Sequence, residues 1–150
     1  PPQARLLLAG DGPCRSELEA AAAAPELAGR VIFAGMIPPE RIADVYRAGD
    51  VFVCASQSET QGLTYLEAMA SGLPLLCRRD DCLAGVTGFA YDTPEDFAAG
   101  LQALSDPVLR SRFGAAARQT VQARFTADAF TRAVAAVYRR CLAAAEGSAA

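Results

Sequence analysis

The fold is decided by residues 51–77, which read VFVCASQSETQGLTYLEAMASGLPLLC. The first five residues are apolar, which is typical of a strand that is buried on both faces. Residues 62–71 then have the periodicity of a helix, and Gly72 follows where a helix end favours glycine. A second apolar run, 73–77, completes a strand–helix–strand unit. Because parallel strands need such a crossover, this stretch predicts a parallel sheet.

The rest of the chain repeats this alternation of short apolar runs and helical segments. We expect further strands at 5–9, 31–34 and 88–91, and further helices at 14–24, 39–48, 94–104, 107–122 and 127–145. The first four strand starts lie 20 to 26 residues apart, which is the length of one βα unit. The prediction is therefore an α/β fold: a doubly wound, Rossmann-like parallel sheet with right-handed crossovers, ending in several helices. Residues 1–150 are expected to form a single domain.

The last expected helix carries apolar residues on one stripe. They are Phe130, Val134, Val137, Tyr138, Cys141 and Leu142. We expect this stripe to pack in the core rather than to face lipid. Residues 107–150 also hold seven arginines against two acidic residues. Their helical spacing favours a solvated face, and no interleaved aromatic residues support nucleic-acid binding.

Composition excludes several kinds of chemistry. The chain has no histidine, which removes Ser-His and Cys-His triads and histidine metal ligands. All 14 basic residues are arginine, so no P-loop or Schiff-base lysine is present. The five cysteines never form a C-x-x-C pair, which argues against a zinc site and a disulfide framework. No apolar run reaches the roughly 20 residues of a membrane span, and no signal peptide is evident, so we expect a cytoplasmic location.

The chemistry is concentrated where the strand at 51–55 ends and the next helix begins. Ligands of open α/β sheets bind at this carboxyl edge. Gly62 permits a ligand to approach the backbone, and the N–H groups of Gly62, Leu63 and Thr64 are the unpaired donors of the first helical turn. Together with the helix dipole, they predict an anion site that suits a diphosphate.

Two carboxylates flank this turn. Glu59 lies in the loop before the helix, and Glu67 lies one to two turns inside it, among apolar residues. A carboxylate there needs partners if it points to the core or to a cleft, and the paired hydroxyls of a ligand could supply them. Alternatively, Glu67 caps a neighbouring loop or faces water, and Glu59 only favours the helix N-terminus. The residues alone leave these two interpretations level.

The segment SETQGLTYLEAMASGLP resembles the E-x7-E signature of family-4 glycosyltransferases, with Glu59 and Glu67 as its two acids. The resemblance is closest to the variant in bacterial diacylglycerol glucosyltransferases, where E-T-Q-G-L is followed by an arginine–aspartate run such as 78–81. Further features agree with the family in their order: GDGP at 10–13, VIFAG at 31–35 and AGDVFV at 48–53. This resemblance covers nearly the whole chain. It implies the C-terminal, donor-binding half of a GT-B enzyme.

The resemblance implies a role for each residue of the motif. Glu59 is similar to the catalytic carboxylate that contacts the donor sugar, and Glu67 is similar to the residue that binds the ribose hydroxyls. The backbone of residues 62–64 would hold the diphosphate, and the loop with Met36 and Ile37 would lie against the nucleobase. Family members retain the anomeric configuration and use no metal. Helix N–H groups and cations would stabilise the leaving diphosphate instead. No cofactor is implied beyond a donor that we expect to be UDP-linked.

The chain departs from the family pattern in two places. In the family, an arginine and a lysine that clamp the diphosphate precede the Gly-Asp-Gly-Pro motif. Because this chain begins at Pro1, we expect it to lack that segment and the N-terminal acceptor domain, and to be inactive by itself. The segment 85–89 also has fewer residues than the corresponding family segment, so donor contacts there are not assigned.

The predicted function is the transfer of a hexose from a nucleotide sugar to a lipid or glycan acceptor, with retention, by a longer chain of transferase class EC 2.4. The missing N-terminal domain would hold the acceptor. A lipid acceptor would bring the full enzyme to the inner face of the cell membrane as a peripheral protein. A non-catalytic nucleotide-sugar-binding module is the alternative, and the two intact acids count against it. An oxidoreductase is set aside because GDGPCR at 10–15 lacks the third glycine of G-x-G-x-x-G.

Overall fold

The computed structural model of the chain describes residues 3–56, 62–78 and 88–147. The strands in these ranges are β1 Leu6–Ala9, β2 Val31–Gly35, β3 Phe52–Cys54, β4 Leu75–Arg78 and β5 Gly88–Tyr91. The α-helices are α1 Arg15–Ala22, α2 Ile42–Ala48, α3 Leu63–Ala70, α4 Pro94–Ala103, α5 Pro107–Arg124 and α6 Ala127–Gly147, and a 3-10 turn at Pro39–Arg41 leads into α2. Each element lies where the sequence predicts it, which confirms the α/β fold class.

The strands form two sheets instead of the single sheet that the sequence suggests. β1 pairs with β2, and β3, β4 and β5 pair in that order. All of these pairings between strands are parallel, as predicted. Within the described ranges, β1 and β3 each pair along one edge only.

The core surrounds β4, the central strand of the three-stranded sheet. On one face, Leu75 and Cys77 pack with the buried residues of α3 and with Ala117 of α5. On the other face, Leu76 packs with Tyr91 and Leu104. β4 is therefore buried on both faces, as its continuous apolar sequence predicts.

The first βαβ unit is more exposed than its apolar sequence predicts. Leu6 of β1 is 43% exposed, Ile32 of β2 is 45% exposed, and no residue of α1 is buried. The helix reads RSELEAAA, so a single leucine and three alanines supply the apolar bulk that it brings to the strands. The prediction that β1 and β2 are buried strands is therefore wrong. An apolar run shows that a strand can be buried, but burial also needs bulky residues on the elements that cover it.

The apolar stripe of α6 is largely exposed, so the prediction that it packs in the core is wrong. Phe130 is 70% exposed and Tyr138 is 68% exposed, whereas Val134 is half-buried. Helical periodicity identifies an amphipathic face but does not say which element covers it. None of the helices in the described ranges combines the length and the hydropathy that a bilayer crossing requires.

The C-terminus of α3 is held by α5. Gly72, which has φ +82°, ends the helix in a Schellman motif. The N–H groups of Gly72 and Leu73 donate to carbonyls of the last turn at 2.9 and 3.0 Å. Arg118 of α5 donates to the carbonyls of Ala70 and Ser71 at 3.2 and 3.0 Å. Backbone and arginine together satisfy carbonyls that a helix end otherwise leaves unpaired.

We predict that Gly114→Ala destabilises the protein. Gly114 of α5 lies against the backbone of Gly72, and a Cβ at residue 114 would overlap the carbonyl oxygen of Gly72. Overpacking of this kind typically costs about 1–3 kcal/mol of unfolding free energy, although alanine is the better helix former. Urea unfolding measures the loss. Gly12→Ala is the control, because a Cβ at Gly12 meets no atom within 4 Å. Equal stability of the two variants would contradict the close contact.

Candidate functional site

The candidate site lies at the carboxyl edge of the three-stranded sheet, where β3 leads into α3. The structure describes Gly62, Leu63, Thr64 and Glu67 of the predicted site. Glu59 lies outside the described residues, and so does the arginine–aspartate run from residue 79 onward. The position of Glu59 relative to α3 therefore stays a prediction.

The first turn of α3 begins at Gly62, which has the left-handed dihedrals φ +59° and ψ +40°. Its carbonyl accepts hydrogen bonds from the N–H groups of Tyr65 at 3.0 Å and Leu66 at 3.2 Å. The intrahelical bonds thus begin at Tyr65, and the N–H groups of Leu63 and Thr64 precede them. No side chain of the described residues caps this end, and both Leu63 and Thr64 are exposed. This is the backbone geometry that an anion at a helix N-terminus requires.

Aromatic side chains of the core pack against this turn. Gly62 is buried against the ring of Tyr65, and a Cβ at residue 62 would lie 2.8 Å from Cδ2 of that ring. The Tyr65 ring is fully buried and meets the ring of Phe52 of β3 edge to face, with centroids 5.7 Å apart. The turn that carries these N–H groups is therefore packed against the core.

Glu67 lies on the exposed side of α3, and a tyrosine holds its carboxylate. The hydroxyl of Tyr46, on α2, donates a 2.9 Å hydrogen bond to Oε2 of Glu67. Tyr46 is half-buried, and this burial, together with the bond to Glu67, raises the pKa of its hydroxyl well above the ordinary value. A tyrosine hydroxyl is protonated at neutral pH already at its ordinary pKa, so the group donates to Glu67 as a neutral phenol. Among the described residues, Glu67 therefore has the hydroxyl of Tyr46 as a hydrogen-bond partner.

Met36 and Ile37 follow β2 directly, in a loop that is joined to the Gly-Asp-Gly-Pro motif. The N–H of Gly10 donates to the carbonyl of Gly35 at 2.7 Å, which ties the two glycine loops together. Met36 is 74% exposed, whereas Ile37 is half-buried. An exposed, adaptable thioether is suited to lie against a planar ring.

A cavity of about 300 Å³ opens beside the Gly-Asp-Gly-Pro loop, with Leu8, Leu18 and Phe33 among its lining residues. Two charged residues line this cavity, Asp11 and Arg15, and they are paired with each other. Arg15 donates to Asp11 at 3.0 Å and to Glu19 at 2.8 Å. The cavity therefore presents mainly apolar surface.

Sequence reasoning missed Tyr46. It lies 21 residues before Glu67 and in a different helix, so only the packing of α2 beside α3 brings the two side chains together. The signal in the sequence was weak: one tyrosine in the short helix before β3, with a side chain long enough to reach the next helix.

Comparison with known proteins defines the class. The model of the family "Glycosyl transferases group 1" matches residues 1–106, so the chain belongs to this family. The chain is 51% identical over 72 residues to alpha-monoglucosyldiacylglycerol synthase of Streptococcus pneumoniae, over 48% of this chain and 16% of that protein. It is 35% identical over 132 residues to a sulfoquinovosyl transferase of Arabidopsis thaliana, over 81% of this chain and 25% of that protein.

The fold agrees with this family. The solved structure of sucrose-phosphate synthase from Thermosynechococcus elongatus superposes with a TM-score of 0.75 at 30% identity, over 93% of this chain and 39% of that chain. The resemblance seen in the sequence is thus confirmed, and the fold is the Rossmann-like part of a GT-B glycosyltransferase. The chain spans 16% and 25% of the lengths of the two relatives above.

We predict that Gly62→Ala disturbs the start of α3. A left-handed residue with a Cβ costs about 1–2 kcal/mol, and the overlap with the Tyr65 ring adds to that cost. In urea unfolding, Gly62→Ala should lose more free energy of unfolding than Gly29→Ala does. The backbone amide resonances of Leu63 and Thr64 should also shift in the Gly62→Ala variant. Gly29→Ala is the matched control, because Gly29 has φ +70° and a Cβ there meets no atom within 4 Å. Equal losses in the two variants would show that the contact with Tyr65 plays no part.

Proposed function

We propose that this chain is the donor-binding domain of a retaining glycosyltransferase, which transfers a hexose from a nucleotide sugar to a lipid or glycan acceptor. The observation that carries the proposal is the pairing of two groups on α3. One is a first turn whose N–H groups lack intrahelical partners, and the other is the accessible carboxylate of Glu67. Glu67 follows Thr64 by three residues, so it lies about 4.5 Å further along the axis on a neighbouring face.

This spacing fits one nucleotide diphosphate. The diphosphate would accept hydrogen bonds from the N–H groups of residues 62–64, and the helix dipole would favour its negative charge. The ribose hydroxyls would donate to Glu67, because a carboxylate accepts through two oxygens. The nucleobase would lie against Met36 and Ile37. Uridine is the base that the family resemblance favours.

The same donors would assist the chemistry. Charge builds up on the diphosphate as the glycosidic bond breaks, and fixed N–H groups at the helix N-terminus would stabilise that charge without a metal ion. Glu59 would contact the donor sugar, with retention of the anomeric configuration. Both statements rest on the family resemblance, since Glu59 lies outside the described residues.

The acceptor is proposed to be held by a domain outside these 150 residues, so this chain would not turn over by itself. Two of its relatives are named as a sulfoquinovosyl transferase and an alpha-monoglucosyldiacylglycerol synthase. The second name describes a glucosylated diacylglycerol as product, which favours a lipid acceptor. An enzyme with such an acceptor would work at the inner face of the cell membrane.

We predict that the chain binds UDP more tightly than GDP or ADP. In an amide NMR titration, UDP should move the resonances of residues 62–64 and of Met36 and Ile37. Glu67→Gln should weaken binding by at least about tenfold, since a hydrogen bond to a charged group is lost. Glu95→Gln, which changes an exposed glutamate of α4, is the matched control. A nucleotide that leaves residues 62–64 unmoved at millimolar concentration would refute the donor site.

A turnover assay separates a transferase from a non-catalytic binding module. In the full-length protein, Glu59→Gln should abolish transfer from UDP-glucose to a diacylglycerol acceptor and leave UDP affinity within about twofold. The product's anomeric proton, read by NMR, reports retention or inversion. Wild-type protein that binds UDP but transfers no sugar from any UDP-hexose would identify a binding module instead.

A further inference from the structure

Among the described residues, the carboxylate of Glu67 is held by one hydrogen bond. Tyr46 donates to Oε2 at 2.9 Å, and Oε1 accepts no hydrogen bond from the described residues. A carboxylate offers about four lone-pair sites on two oxygens, so the tyrosine occupies one and each oxygen keeps at least one for another donor. The exposed carboxylate can therefore receive two further hydroxyl groups.

The position of the Tyr46 hydroxyl is set by the core. Its ring packs against the ring of Phe52, with centroids 5.9 Å apart, and Phe52 packs in turn against the fully buried Tyr65. Tyr65 lies on α3, two residues before Glu67. Three rings in contact thus connect Tyr65 on α3, Phe52 on β3 and Tyr46 on α2. The hydrogen bond from Tyr46 to Glu67 then leads back to α3.

This arrangement restrains a side chain that is otherwise free to rotate. A glutamate on a helix surface loses rotamer entropy when a ligand fixes it. A hydrogen bond from a rigid donor removes part of that cost before the ligand arrives. The Tyr46 hydroxyl also has no other acceptor among the described residues, so its hydrogen bond is directed to Glu67.

We propose that Tyr46 is a positioning residue, which orients Glu67 to accept both hydroxyls of a ribose and thereby makes the site select ribonucleotides over deoxyribonucleotides. This inference rests on the proposed function, because it takes the nucleotide donor as the ligand. A merely structural link between α2 and α3 would stabilise the fold without affecting this selectivity.

The experiment compares the affinities of the full-length protein for UDP and for 2′,3′-dideoxy-UDP, measured by calorimetry. Wild-type protein should prefer UDP by about tenfold or more, since two hydroxyl contacts to a carboxylate are lost with the second ligand. Tyr46→Phe keeps the ring but loses the hydroxyl. It should weaken UDP binding about three- to tenfold and leave dideoxy-UDP binding unchanged. Tyr138→Phe, which removes an exposed hydroxyl on α6, is the matched control and should change neither.

A double-mutant cycle completes the test. With Glu67→Gln already in place, Tyr46→Phe should have no further effect on UDP affinity, because both changes act through the same carboxylate. If Glu67→Gln reduces the preference for UDP while Tyr46→Phe leaves it intact, or weakens both ligands equally, then the role of Tyr46 is refuted and the donor site stands. If wild-type protein binds both nucleotides equally, the assignment of Glu67 to the ribose fails, and the role of Tyr46 fails with it.

Discussion

The burial of one face of α3 is the constraint on which the candidate site depends. Tyr65, Ala68 and Met69 are fully buried, between β4 on one side and α5 on the other. A helix with 3.6 residues per turn that buries these positions must turn Leu63, Thr64 and Glu67 outward. The core therefore decides which groups face a ligand. At the other end of the helix, the Schellman turn and Arg118 satisfy carbonyls of the last turn.

Two kinds of interaction give the site its precision. Backbone dihedrals place the donors of the first turn, because Gly62 adopts a left-handed conformation that few other residues tolerate. Side-chain packing positions the carboxylate of Glu67. The rings of Tyr46, Phe52 and Tyr65 pack together and hold the hydroxyl that donates to it. Neither device is large, and both use residues that also belong to the fold. A binding site of this kind needs little surface of its own.

Local signals in the sequence predicted the elements, and long-range packing decided what the sequence could not show. The apolar runs at β3 and β4, and the glycine after α3, locate their elements because the preferences of a few neighbouring residues settle them. The exposure of Leu6 and Phe130, and the division into two sheets, depend on which residues come to lie nearby. The bond from Tyr46 to Glu67 is of the same kind, since it joins residues on two helices. The roles of Glu59 and Glu67 came from the family resemblance and not from their spacing.

The guanidinium of Arg118 closes the end of α3 by donating to two backbone carbonyls. The sequence also lacks histidine and lysine, so no side chain type present has an ordinary pKa between about 4.5 and 8. The net charge of these 150 residues is accordingly expected to change little near neutral pH. Any molecule that binds these residues would therefore meet a surface whose charge is nearly independent of pH near neutrality.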